Sequence, residues 1–432
     1  MIVLRSAVRA AAAFFVFNAL MLASPAEPNP EPFPQPSNKK GLQVQMIDDA
    51  IALAVQHAAL NVDVNRFLDL EAKPDSLRWT VDGRAFAFHH DVVERLDRQI
   101  KPLSDAGMVI YLILVARESG DPARDAIMLH PRYDRTARTN RISALNAETP
   151  DGRAYLRALV EFLAARYSDP AAPQGRVWGW IVGNEVNSHW WWNNMGRAPM
   201  DEVASDYEHA VRLVHDAVRS ASAQGRVYLS LDHHWTIRFP AGAADQSLPG
   251  RQLLETFARF ARERGDFGWN LAYHPYPENL GNPRFWDDTS AIQSPDTPRI
   301  TFKNLSVLTE FMKRPELVWK GKPRRVILSE QGFHCREERP DGEEEQAAAF
   351  AAAWWKVSHL DGIDAFILHR HVDHKNEGLN LGLWTRKPDS ISTPDRPRKM
   401  YEVFKVAGTP EFEQVAAFAL PIVRVETWED LK

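Results

Sequence analysis

Residues 177–187 read VWGWIVGNEVN, an apolar, β-branched and aromatic run that closes on Asn184-Glu185. An apolar stretch without alternation is the pattern of a strand covered on both faces, as in a parallel sheet wrapped by helices. A carboxylate at the end of such a strand is costly to bury and requires either a partner or a chemical role. Residues 325–333, RVILSEQGF, repeat the plan, with Glu330 closing a second apolar strand. Two glutamates, each ending a core strand, are the central feature of the chain.

Outward from this stretch, short apolar runs alternate with amphipathic segments from about Leu42 onward. Strands are predicted at 57–64, 109–116, 177–182, 227–232, 269–274, 325–330 and 363–369, with 41–45 supplying one more at the start. Tyr155, Leu159, Val160, Leu163 and Tyr167 form a helical stripe with Asp151 as its N-cap. Val203, Tyr207, Val211, Val214 and Val218 form another. Eight strands alternating with helices predict a (β/α)8 TIM barrel. Segments entering strands are short, such as 320–325 and 359–362. Those leaving strands are long: 117–150, 185–200, 233–250, 277–300 and 370–395. In barrels such loops gather on the C-terminal face, where function resides.

The Asn-Glu strand end, the later Glu strand end and LAYHPYP (271–277) between them resemble the retaining glycoside hydrolases of the (β/α)8 clan that includes cellulases and mannanases. The resemblance spans about residues 40–410 as architecture, and three short motifs carry it. It implies Glu185 as acid/base and Glu330 as nucleophile. It further implies that Asn184 bonds the sugar hydroxyl beside the reacting carbon, that Tyr276 holds Glu330, and that His274 lines the floor of the site. The chain departs from the clan in strand two, where Asn61 stands in place of an arginine and Arg66 or Arg117 are the substitutes. The clan's tryptophan at the end of strand eight is also absent; His369 stands there and Trp384 comes later in the loop.

Each reading has a plainer rival. Either glutamate alone would be read as a strand cap paired with arginine; the pair with His-Pro-Tyr between them favours catalysis. HWWW (189–192) cannot point all three indoles into one core, so at least one is expected on the surface, and Trp190 and Trp192 are candidate sugar platforms or wedges under the rim. His233, His234, His369, His371, Asp373 and His374 end strands five and eight and are of metal-ligating type, which makes a metal-dependent barrel hydrolase the enzymatic alternative. Their spacing fits no strong metal motif, and His233 and His369 suit sugar hydroxyls equally well. A catalytically inactive carbohydrate-binding barrel is the non-enzymatic alternative. Arg117-Glu118 reads as a rim ion pair, and Cys335 as a core or rim thiol.

Composition is ordinary for a globular chain: 432 residues, 44% hydrophobic, 25% charged. The net charge of −5 gives no basic field for nucleic acid or an anionic membrane. No Gly-rich phosphate loop follows a strand, so no organic cofactor is expected, and no obligate protein partner is evident. Residues 1–26 read as a signal peptide, 27–40 as a Pro-rich extended linker, 41–408 as the barrel and 409–432 as a tail packing on it. The mature protein is therefore expected in the periplasm or medium, free of the membrane after cleavage. Its single cysteine permits no internal disulfide.

Overall fold

The computed structural model describes residues 27–137, 140–171 and 173–432; the signal-peptide reading of residues 1–26 lies outside them. Eight parallel strands form a closed barrel: β1 Lys40–Gln43, β2 His57–Asp63, β3 Val109–Arg117, β4 Gly179–Val182, β5 Arg226–Asp232, β6 Trp269–His274, β7 Val326–Leu328 and β8 Ile363–Leu368. Each pairs with the next, and β1 closes the ring by lying beside both β2 and β8, with Gly41 opposite His57 and Ile367. Among the described residues the principal helices that follow these strands are α1 Ile47–Ala52, α2 His90–Asp105, α3 Pro150–Ser168, α4 Met200–Ala221, α5 Gly250–Glu263, α6 Ser306–Phe311, α7 Gly342–Ser358 and α8 Lys399–Val406. No helix of the described residues is long and apolar enough to cross a membrane.

The strand sequences explain the barrel. In β3, Val109, Tyr111, Ile113 and Val115 join the interior cluster, while Ile110, Leu112, Leu114 and Ala116 join the shell under the helices. Side chains alternate along a strand, and here both faces are buried, so the run is apolar throughout. The same alternation sets the mouth. One step above the inward Ala59, Tyr228, Ala272, Ile327 and Ile367 come Asn61, Ser230, His274, Ser329 and His369. The barrel is thus apolar in its middle and polar at its C-terminal rim. Asn61 is exposed although it faces inward, so solvent enters the mouth.

At the opposite end, residues 27–38 do not hang free as a tether. Asn29 joins the end of α4 through Asn29 N to Ala221 O at 2.8 Å. Phe33 sits edge-on to Trp178, with the Arg226 guanidinium 3.6 Å from its ring centre, and so covers the barrel floor. An extended Pro-rich segment has few backbone donors to satisfy, which suits a strap across an end.

Two further differences from the sequence expectations have simple causes. Helix α3 is capped by Thr149, whose side chain accepts from Gly152 N, with Pro150 in the first turn; Asp151 is already helical. Pro favours the first helical position, which moves the cap one residue earlier than the proline. The loop after β2, absent from the long loops read in the sequence, carries an antiparallel hairpin of Leu77–Val81 and Arg84–Phe88. Its Asp82-Gly83 turn has positive φ at both residues, the geometry of a tight hairpin. The tail beyond residue 409 lies against α7: Trp428 stacks over Trp355 at 6.5 Å, and Lys356 Nζ donates to Leu431 O. Helix α7 is Ala-rich and buried nearly all round, and a helix apolar on every side needs such a cover.

Candidate active site

Beyond β4 the chain turns through Gly183 (φ +71°) and Glu185 (φ +42°). At Gly183 a Cβ would fall 2.6 Å from Asn193 Oδ1, so the position requires glycine. A left-handed glutamate is uncommon and persists only where its surroundings hold it. Here Ser230 Oγ, from the inward face of β5, accepts the Glu185 N–H at 3.0 Å. Ser230 N in turn donates to Tyr207 Oη, which donates to Val182 O at 2.6 Å, so α4 stitches β4 to β5 beneath the site.

Glu185 is 8% exposed, and its Oε1 lies 2.9 Å from His274 Nδ1 at the end of β6. The other ring nitrogen of His274 lies 3.0 Å from Ser329 Oγ. Glu330, just past β7, accepts from Tyr276 Oη at 3.2 Å and from Gln43 Nε2 at 3.3 Å. One carboxylate oxygen of each glutamate and a ring nitrogen of His274 all lie within 4.8 Å of one another. Among the described residues neither glutamate is paired with arginine or lysine, so the strand-cap reading lacks the partner it needs.

The two carboxyls are driven in opposite directions. Burial is the largest influence on Glu185 and carries it up to about 7; the His274 hydrogen bond opposes this, while the negative charges of Asp232 and Glu330 add to it. Burial works against ionisation of Glu330 as well, but facing His369 and His274 and the Gln43 amide outweigh it and hold the carboxyl below its ordinary 4.5. His274 is raised above its ordinary value: burial opposes its charge, but the bond to Glu185 and the charge of Glu330 prevail. The result is one carboxyl kept protonated near neutrality beside one kept ionised.

The structure brings Glu185, His274, Tyr276, Glu330 and His369 into one constellation. His369 Nδ1 lies 2.8 Å from Gln43 Oε1, and its Nε2 lies 3.3 Å from Glu377. Asn184 is half-buried beside Glu185, with no hydrogen bond to its amide among the described residues. His233 is buried next to Asp232; burial and the adjoining His234 drive its imidazole down to about 3, and its Nδ1 has no partner among the described residues. Gln43, Ser230, Ser329, Asp232 and Glu377 were not singled out from sequence. For Ser230, Asp232 and Ser329 the available signal was a polar residue near the end of a predicted strand; Glu377, in the loop after β8, carried none.

Other candidates are placed differently. Arg66 is 70% exposed and pairs with Asp63, and Arg117 donates to Asn140 O at the rim; neither bonds the glutamates. Trp384 donates its indole N–H to Asp49 at 2.9 Å and packs edge-on to Tyr401. None of the three consecutive tryptophans is fully exposed. Trp190 lies under the Arg197 guanidinium, Trp191 packs on Phe239, and Trp192 rests on the barrel's interior cluster. A short helical turn, His189–Trp192, lets three neighbours wedge into separate surfaces. Of the six residues weighed as metal ligands, His371 bonds Asp49 at 2.8 Å and Asp373 bonds Arg398 at 2.6 Å, while His234 bonds Asp232 at 2.9 Å. Those three are held by structural partners, and the six do not converge on a common point among the described residues. Glu118 pairs with Arg135 rather than with Arg117, and Cys335 is buried, its thiol pushed up to about 11 by that burial.

The fold is shared with solved structures. A family 39 glycoside hydrolase from Bacteroides cellulosilyticus WH2 is 14% identical with a TM-score of 0.54, over 88% of this chain and 66% of that one. A glucosidase from Croceicoccus marinus is 12% identical with a TM-score of 0.53, over 88% and 69%. The hyperthermophilic beta-glucosidase from Pyrococcus furiosus is 13% identical with a TM-score of 0.54, over 87% and 86%. At these identities the likeness is one of fold, the (β/α)8 barrel expected from the sequence. No curated protein matches the chain. Residues 32–431 match the model of a family of unknown function, DUF5722, and the chain belongs to that family.

Proposed function

We propose that this protein is a secreted glycoside hydrolase that cleaves an oligo- or polysaccharide with retention, using Glu330 as nucleophile and Glu185 as acid/base. The observation that carries the reading is the pair of strand-end carboxyls, free of arginine and lysine among the described residues, with oxygens within 4.8 Å of one another and opposite protonation tendencies. Direct attack needs carboxyls about 5–5.5 Å apart, whereas a water held between them needs roughly 6.5–9.5 Å. The closer spacing supports double displacement.

In the first step a Glu330 oxygen attacks the anomeric carbon while Glu185 gives its proton to the departing glycosidic oxygen. In the second, Glu185 takes a proton from water, whose oxygen attacks the same carbon and releases Glu330. His274 occupies Oε1 of Glu185 and leaves Oε2 without a protein partner among the described residues, as the oxygen available to a substrate. Tyr276 and Gln43 hold one Glu330 oxygen each. Asn184, His233 and His369 are the groups offered to sugar hydroxyls. Export rests on the signal-like residues 1–26.

The test is the anomer first released from a cleaved glycoside, read by proton NMR before mutarotation. Retention is expected, and inversion would overturn the nucleophile assignment. Because Glu185, His274 and Glu330 also have the composition of a metal site, a metal-dependent hydrolase is the second reading. Activity that persists in excess chelator excludes it; activity lost to chelator and restored by metal establishes it.

A further inference from the structure

On the outer side of the barrel, away from the glutamate pair, Glu148, Asp206 and His209 each offer a donor atom, and these three atoms lie within 4.8 Å of one another. Asp206 and His209 stand one turn apart on α4, the spacing that puts two side chains on the same helix face. Glu148 immediately precedes the Thr149 cap of α3, at the end of the long loop that leaves β3. We propose that these three residues bind a divalent cation of the zinc class and so clip that loop to α4.

Three observations support this. First, the two carboxylates lack the usual partner. Elsewhere on this surface acids pair with arginine, as Asp97 does with Arg166 and Asp245 with Arg197. Among the described residues Glu148 and Asp206 are paired only with histidines: His209 at 2.9 Å and His130 at 3.2 Å. Arg153 donates to the carbonyls of Ala147 and Glu148, not to the carboxylate. Two anions brought together repel unless a cation lies between them.

Second, the donors are held from behind. His130 is buried, and its Nδ1 accepts from Arg132 N, which leaves the proton on Nε2 to be donated to Asp206 Oδ2. Among the described residues Asp206 Oδ1 is then without a partner, and ligating carboxylates are usually hydrogen-bonded from behind in this way. The Glu148 backbone is fixed by Asn146 Oδ1, which accepts from Glu148 N and Thr149 N.

Third, the donor set selects the ion. One imidazole with two carboxylates suits zinc and related transition ions over calcium or magnesium, which favour all-oxygen shells. The side chains of the three donors are 23–41% exposed, so water can complete the shell.

The experiment uses the full chain, stripped with chelator and desalted, and titrated with Zn²⁺ by calorimetry and metal analysis. One saturable site is expected, with a rise in melting temperature of roughly 3–5 °C at saturation. His209→Ala and Glu148→Gln should each weaken binding at least tenfold and abolish the thermal shift, with hydrolytic activity unchanged. No saturable binding overturns the proposal. So does binding that survives both substitutions, and if that binding disappears in Glu330→Gln the ion belongs to the cleft instead.

Discussion

His274 Nδ1 lies 2.9 Å from Glu185 Oε1, so the imidazole between the two strand-end glutamates contacts the one that tends to keep its proton. With Nδ1–H donating to Oε1, the acid proton of Glu185 belongs on Oε2, the oxygen that His274 leaves open. In the proposed double displacement the same contact can then persist while Oε2 loses and regains its proton.

Replacing Glu330 with alanine or glutamine is expected to lower turnover on the order of 10⁴-fold or more, as the loss of a nucleophile does. The barrel should stay folded, because Glu330 holds only Tyr276 and Gln43. Steady-state rates beside circular dichroism check this. Near-normal turnover in Glu330→Ala removes the mechanism.

The pH dependence of kcat/KM follows from the two carboxyls. Activity requires Glu330 ionised and Glu185 protonated, so it should rise with pH below 4.5 and decline as pH passes about 7. His274→Phe removes the bond that pulls Glu185 down, so the alkaline limb should move to higher pH. A limb that stays in place would show that Glu185 does not set it.

Glu185 also sets a cost in stability. Its folded value of about 7 lies above the ordinary 4.5, so stabilisation from the protonated form is full below 4.5 and is lost as pH rises through 7. The difference corresponds to roughly 3 kcal/mol at pH 8. Glu185→Gln should therefore melt higher than the parent at pH 8, with most of the gain gone by pH 5. Equal melting temperatures at both pH values would contradict a buried, poorly compensated carboxyl.

Asp373 is predicted to act in folding. It pairs with the fully buried Arg398, which also reaches Glu337, and accepts from Gly382 N. Asp373→Ala leaves a buried guanidinium short of a partner and should cost about 3 kcal/mol in denaturant unfolding. Added Zn²⁺ should not restore it; restoration would return Asp373 to the metal ligands.

The barrel was legible because its strands are buried on both faces and so stand out as apolar runs between long and short connections. The two glutamates were legible because each charge ends such a run. What escaped depends on contacts between distant parts of the chain. Gln43 meets Glu330 and His369 across the ring closure between β1 and β8, and no local pattern marks that meeting. Trp384 stands in the loop after the strand end where the clan's tryptophan is missing, but its indole is committed to Asp49 from the far end of the chain. Arg66 and Arg117 were nominated to replace a missing arginine, yet Asp63 engages the Arg66 side chain and the Arg117 backbone. The hairpin at 77–88 did carry a local sign, Asp82-Gly83 between alternating apolar residues.

The strap of residues 27–38 gives the molecule a polarity with respect to any surface that holds it. Its path under the floor, through Asn29 and Phe33, lies at the pole opposite the glutamates. A bead, tag or bilayer attached through the N-terminal side would sit beneath the barrel, and the mouth would look outward. Immobilisation from that side should leave the mouth of the barrel unhindered, whereas attachment through the rim loops would shade it.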